Sequence, residues 1–375
     1  MGVPTSFSKR LTDEICQFEK FIAPLPQEHQ NRDKLKKIIT DLIHEVDPTC
    51  SVNAYGSHIT GLALPSSDLD LTIVTSQVST LGLLKRIRKL AIKNRLCSFD
   101  DTMLIPGAKV KILALHLRSL QLDVDISVNT EHPSTDQTVE WIQRYPPLKP
   151  LYLVLKHALL CTQLPNQTGF QAMSSKVGGL AGFSLVCLIV HFLQHQAVDM
   201  VEPDVGQLLL AFLDFYSKFE FDRKCLDMDP EHEPYRAKTK EDRHPIVIVD
   251  PKHPGTNVCR SVSNKKKLQR CFRYVYDCLI RAGTSANTRS PILSTVILAS
   301  DPFTSELTPK TKRQHQGCSY KILPLNVPPQ HDQEESSEPP MLGKRKRSEN
   351  PHRPTKKRSA PTGNLSRNTH VRWDD

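Results

Sequence analysis

"NAYGSHITGLALPSSDLDLTIV", residues 53–74, carries a Gly56-Ser57 pair and then, after a ten-residue gap, two aspartates around a leucine at the head of an apolar run. Positions two apart on a strand leave the same face, so Asp68 and Asp70 point together while Leu69, Leu71 and Ile73 point to the other side. Like charges held that close repel. A cation such as Mg²⁺, which takes carboxylate oxygens together with substrate phosphates, relieves the repulsion. A solvated strand end with two surface acids gives the same pattern, and the pair by itself fits both readings.

A second acidic strand narrows the choice. In "LQLDVDISVN", residues 120–129, Leu122, Val124, Ile126 and Val128 form one face, and Asp123, Asp125, Ser127 and Asn129 form the other. Laid beside the first strand, it supplies the third carboxylate of a two-metal site. Such sites hold ions about 3.5–4 Å apart, one activating an attacking hydroxyl and one stabilising the leaving pyrophosphate. Gly56, having no Cβ, lets backbone N–H groups approach a triphosphate. Turn and acids then form two ends of one nucleotide-metal site.

With 375 residues, 38% of them hydrophobic, the chain has material for a substantial core and for two domains or one domain and a tail. The most apolar run, Val177 to Phe192, contains three glycines, a serine and a histidine, and reads as a buried helix rather than a membrane span. No secretory leader opens the sequence. Met1-Gly2-Val3-Pro4-Thr5-Ser6 fits the loose N-myristoylation pattern, a match that arises often by chance. The ten cysteines form no Cys-x-x-Cys pair, so reduced thiols are expected and no zinc module can be built from them. The net charge of +10 is concentrated in the tail: Met341 to Arg372 holds ten Lys or Arg against one acid, Glu349, leaving the rest nearly neutral. Within it, Lys344 to Arg347 and Lys356 to Arg358 read as a nuclear import signal, an RNA-phosphate tether or a plain solvated end.

Helical spacing runs from Leu11 to Val46, broken at Ala23-Pro24-Leu25-Pro26. Strands are expected at 51–55, 69–74, 109–115 and 120–128, with a basic helix over 80–96; helices follow at 151–160, 180–194 and 205–216, and a further strand at 246–249. Three units are expected: a catalytic unit over 47–138, a helical unit made of 11–46 and 139–300, and a disordered basic tail over 301–375.

These residues resemble the DNA polymerase beta-type nucleotidyltransferase superfamily and, within it, the nuclear RNA-surveillance poly(A) polymerases of the TRAMP complex. The resemblance covers about 11–298, where "LTDEICQFEKFIAPLP", "VDISVN", "YPPLKPLYLVLKHALL", "GGLAGFSLVCLIVHFLQ" and "VDPKHPGTNVCRSV" fall in the family's order. It implies an α+β fold, a polymerase-beta-like palm inserted into a mainly helical domain. It implies template-independent addition of AMP from ATP to RNA 3′ ends with two Mg²⁺ or Mn²⁺ ions, in the nucleus, beside a zinc-knuckle RNA-binding protein and helicase or exosome partners.

By the same resemblance, Asp68 and Asp70 bind both metals, and Asp125 binds one and activates the 3′-hydroxyl. Gly56 and Ser57 hold phosphate, Lys156 the triphosphate, and Phe183 the base, while Asn257 and Arg260 sit in a base-reading loop. The family's ribose-contacting Asn-Gly is missing from "TEHPSTDQTVEW", and an insertion stands around "QTGFQAMSS". Thr256 occupies a position where uridine-specific relatives can place histidine, which favours ATP. A terminal uridylyltransferase and an inactive RNA-binding scaffold are the alternatives.

Overall fold

The computed structural model describes residues 5–64, 67–77, 79–106, 110–118, 122–162, 170–198, 200–229, 231–253, 255–285 and 291–297. The expected basic tail, residues 1–4 of the N-terminal acylation match at 1–6 and part of the insertion before Gly178 lie outside them.

Five strands make a mixed sheet: β1 (Ser51–Tyr55), β2 (Leu69–Val74), β3 (Thr102–Ile105), β4 (Ile112–Leu117) and β5 (Leu122–Val128), in spatial order β1-β2-β5-β4-β3. The two acid-bearing strands, β2 and β5, lie side by side and parallel, and β1 and β4 flank them antiparallel. The helices are α1 (Thr5–Ile22), α2 (Pro26–His44), a single turn α3 (Ser57–Thr60), α4 (Thr80–Lys93), α5 (Pro133–Arg144), α6 (Leu148–Cys161), α7 (Gly182–His195), α8 (Val205–Lys218) and α9 (Lys265–Thr284). A small ladder, β6 (Lys224–Leu226) with β7 (Tyr235–Ala237), lies between α8 and α9 in the chain.

Two hydrophobic cores result. One apolar face of the sheet, with Leu69, Leu71, Ile73, Leu113, Val124 and Ile126, buries against Leu35, Ile39, Leu42 and Ile43 of α2 and Leu83, Leu84 and Ile87 of α4. Strict alternation on the strands and i, i+4, i+7 spacing on the helices make these faces complementary. The second core joins Leu11, Ile15 and Phe18 of α1 to apolar residues of α5 through α9. At one end α8 meets α1 so closely that Gly206 donates its N–H to Thr12 Oγ1 at 2.9 Å.

The proline turn divides the N-terminal segment between these cores. The expected grouping put 11–46 wholly with the later helices; α1 joins them, but α2 packs on the sheet. Helical periodicity shows that a helix has an apolar face, not which layer covers it. Two further differences concern strands. β3 was not foreseen, being four residues long and at the sheet edge with Met103 exposed. At 246–249 there are only isolated bridges, Leu226 to Ile248 and Val249 to Asn257, instead of a regular strand. Among the described residues no helix is long and apolar enough to cross a membrane.

Candidate active site

Asp70 on β2 and Asp125 on β5 are direct partners in the parallel register, and Asp68 lies just ahead of β2. Burial, then the charges of Asp68 and Asp125, push the Asp70 carboxyl up to about 7, while Lys156 and Arg32 pull it down. A cluster of anions in a half-buried place is a site that gains from a cation. All-oxygen donors suit a hard ion such as Mg²⁺, which keeps waters and substrate phosphates among its ligands. Among the described residues no three His, Cys, Asp or Glu side chains are gathered closely enough to hold a metal ion by themselves. Triphosphate and water would complete a shell begun by Asp68, Asp70 and Asp125. The register also separates Asp125 from Asp123, which shares its face: Asp123 stands across from His116 and bonds to it, Nδ1 to Oδ1 at 2.6 Å.

Gly56 follows directly from β1, with φ at +70°, and caps α3, accepting at its carbonyl from Ile59 and Thr60. A Cβ at this position would run into the Asp70 carboxylate, so the turn needs glycine both for its backbone angle and for space. The Gly56 N–H donates to Thr135 Oγ1 at 3.0 Å, and Tyr55 stacks on His132 with ring centroids 3.3 Å apart. These two contacts pin the start of α5 to the Gly-Ser turn. Ser134, Thr135 and Thr138 thereby enter the cleft wall, positions the sequence reading did not single out. The available signal was a Pro-Ser-Thr helix start soon after the acidic strand.

The cleft, of about 530 Å³, lies between the two cores, lined by Gly56, Ser57, Asp68 and Asp70 on one side and Lys156 and Phe183 on the other. Lys156 sits on α6 one turn after Tyr152, its Nζ 5.4 Å from that ring's centroid. Burial lowers its pKa, and the charges of Asp68 and Asp70 oppose the shift, which places the ammonium within electrostatic reach of both acids. Phe183, at the start of α7, lies nearly parallel to Trp141 at 6.1 Å.

Asn257 and Arg260 are not among the cleft-lining residues. The Asn257 amide bonds within its own loop: Oδ1 accepts from the N–H groups of Ile248 and Cys259, and Nδ2 donates to Ile246 O. These bonds hold the shape of the loop. Arg260 is exposed. The loop is nevertheless fastened to the cleft wall, because Ser184 Oγ donates to Val258 O, and Ser261 Oγ to Gly179 O.

Residues 11–132 match the family described as poly(A) RNA polymerase, mitochondrial-like, central palm domain. Similar proteins include the poly(A) RNA polymerase cid14 of Schizosaccharomyces pombe, 26% identical over 87% of this chain and 50% of that protein. Poly(A) RNA polymerase protein 1 of Saccharomyces cerevisiae is 27% identical over 72% of this chain and 43% of that protein. The chain thus spans about half the length of these relatives. Among solved structures, the polymerase core of TRAMP, described as an RNA surveillance complex, shares the fold with a TM-score of 0.68 at 22% identity, covering 77% of this chain and 94% of that one. The Cid1 poly(U) polymerase does so at 0.63 and 19%, covering 77% and 98%.

Proposed function

We propose that the chain is a template-independent nucleotidyltransferase that adds AMP from ATP to RNA 3′ ends. The observation that carries this reading is the pairing of Asp70 with Asp125 in register, beside a glycine turn and across the cleft from Lys156. The relatives, named as poly(A) RNA polymerases, support it.

Asp68, Asp70 and Asp125 would hold two Mg²⁺ or Mn²⁺ ions. When bound, these supply activation of the hydroxyl and charge neutralisation at the leaving pyrophosphate. Asp125 faces the RNA 3′-hydroxyl and takes its proton. Backbone at Gly56 and the Ser57 hydroxyl hold phosphate oxygens, Lys156 balances triphosphate charge, and Phe183 gives the base a stacking surface. Asn257 acts indirectly, keeping the shape of the loop that carries Thr256.

The basic tail would direct the protein to the nucleus; deleting 341–375 from a fluorescently tagged chain should move it to the cytoplasm, and a truncated chain that stays nuclear removes that role. RNA is the substrate, and a zinc-knuckle protein and a helicase are the partners in this reading.

The test is labelled oligo(A) with the purified protein, each of the four NTPs, and Mg²⁺ or Mn²⁺. Lengthening with ATP is expected. The fold shared with Cid1 makes uridylyl transfer the second reading, and preference for UTP would establish it. No incorporation with any NTP would leave an inactive RNA-binding protein; among the relatives, Trf4-2 of Drosophila melanogaster is named as an inactive non-canonical poly(A) RNA polymerase.

A further inference from the structure

The open face of the sheet continues past the acids. Ala114 on β4 stands across from Asp125, and His116, two residues on, stands across from Asp123. All four side chains leave the same face. Ala114 is small and leaves the space beside Asp125 open. His116 and Asp123 are bonded at 2.6 Å, yet their side chains are 48% and 54% exposed, so the pair presents itself to solvent as a unit.

The bond orients the imidazole. A carboxylate accepts, so His116 Nδ1 donates to it and Nε2 lies on the opposite edge of the ring. The neighbouring acids repel phosphate oxygens from that edge; a ribose hydroxyl, neutral and able both to donate and to accept, can pair with it. The step from the Ala114–Asp125 row to the His116–Asp123 row is about 7 Å, of the order of one nucleotide. Just beyond β4, Arg118 is 71% exposed and held by Asp101 at 2.6 Å, which leaves the rest of its fork of donors for a phosphate. From the Ala114–Asp125 row to the His116–Asp123 row and on to Arg118, the surface offers open space, then a group that can pair with a hydroxyl, then a cation.

We propose that the His116–Asp123 pair hydrogen-bonds to the 2′-hydroxyl of the RNA nucleotide preceding the reacting 3′ end, so that this end of β4 selects RNA over DNA. The proposal rests on RNA being the substrate, and goes beyond it by naming the group that is read. The 2′-hydroxyl is the feature by which a protein distinguishes the two polymers at one position.

The experiment measures fluorescence anisotropy of 5′-labelled oligo(A) with the full-length protein and Mg²⁺. One oligonucleotide is all-ribose, one has a single 2′-deoxy sugar at the penultimate position, and one has it four positions upstream. The wild type should bind the penultimate-deoxy oligonucleotide about fivefold more weakly than the all-ribose one, the loss of one hydrogen bond. The upstream substitution should have no effect. His116→Ala should bind all-ribose RNA as weakly as the wild type binds the penultimate-deoxy form, and should be indifferent to that substitution. Asp123→Asn should show a partial loss of discrimination. Wild-type discrimination retained in His116→Ala overturns the proposal, as does equal wild-type binding of all three oligonucleotides. Binding requires no turnover, so a wild type that discriminates as expected but adds no nucleotide sinks the adenylation reading and leaves this inference standing. Absence of any RNA binding overturns both.

Discussion

The carboxylate of Asp70 occupies the space that a side chain on Gly56 would need, and Asp70 itself is paired in register with Asp125. Turn, second acid and third acid therefore move as one body, and a change to any of them is felt by the others.

Gly56→Ala tests that coupling. The positive φ adds strain of about 1–3 kcal/mol, and the new methyl displaces Asp70. A displacement of the order of 1 Å at a reacting centre costs about 10²-fold in rate. A melting temperature only modestly lowered, together with a collapse of nucleotide addition, is the expected pair of results. Near-normal incorporation would mean that Asp70 does not need its present position.

Asp70→Asn and Asp125→Asn should each reduce incorporation to background with the protein still folded, since both carboxylates serve one metal-dependent step. Asp123→Asn should keep its kcat at saturating RNA, because that side chain is engaged with His116. A dead Asp123→Asn beside an active Asp125→Asn would exchange their roles.

Thr135 is the acceptor for the Gly56 N–H and is itself nearly buried. Thr135→Val removes the oxygen and strands the donor, at a cost of about 1–3 kcal/mol. Thr135→Ser keeps the bond. Stability by denaturant titration and KM for ATP should both worsen in the valine variant and recover in the serine variant.

Phe183→Ala should raise KM for ATP about tenfold with kcat little changed, as expected for loss of one stacking surface. Steady-state kinetics at saturating RNA decide it; a fall in kcat with KM unchanged would assign Phe183 to packing against Trp141 instead.

Burial lowers the pKa of His157 and of His191 to about 4. Both are favoured neutral when folded, whereas in the unfolded chain they take up a proton near pH 6.5. Their contribution to stability is therefore complete above about 6.5 and is lost as the pH falls towards 4, by about 2 kcal/mol each at pH 5. His191, fully buried, bonds through Nε2 to Pro234 O, fixing the ring in the helical core. Urea melts between pH 7 and 5 should show this slope, and His191→Gln should flatten it even if it lowers stability at pH 7. An unchanged slope in that variant would remove His191 from the account.

Alternation along single strands was sufficient to tell which face of each strand carries its acids. Leu69, Leu71 and Ile73 had to face a core, so Asp70 had to face away from it; the same held for Asp125 between Val124 and Ile126. A glycine before a serine, followed by that strand, was also readable, because a turn with positive φ has few residues that tolerate it.

Contacts between distant segments were decided elsewhere. That Asp125 rather than Asp123 pairs with Asp70 is a matter of register between strands about fifty residues apart in sequence, and both acids have the same local pattern. That the Asn257 amide meets the N–H groups of Ile248 and Cys259 and the carbonyl of Ile246 is likewise invisible in the local sequence. The division of α1 from α2 between two cores follows the same logic. Local periodicity states which side of an element must be buried, because hydration acts on each residue where it stands; which partner buries it depends on long-range packing that no short window of sequence contains.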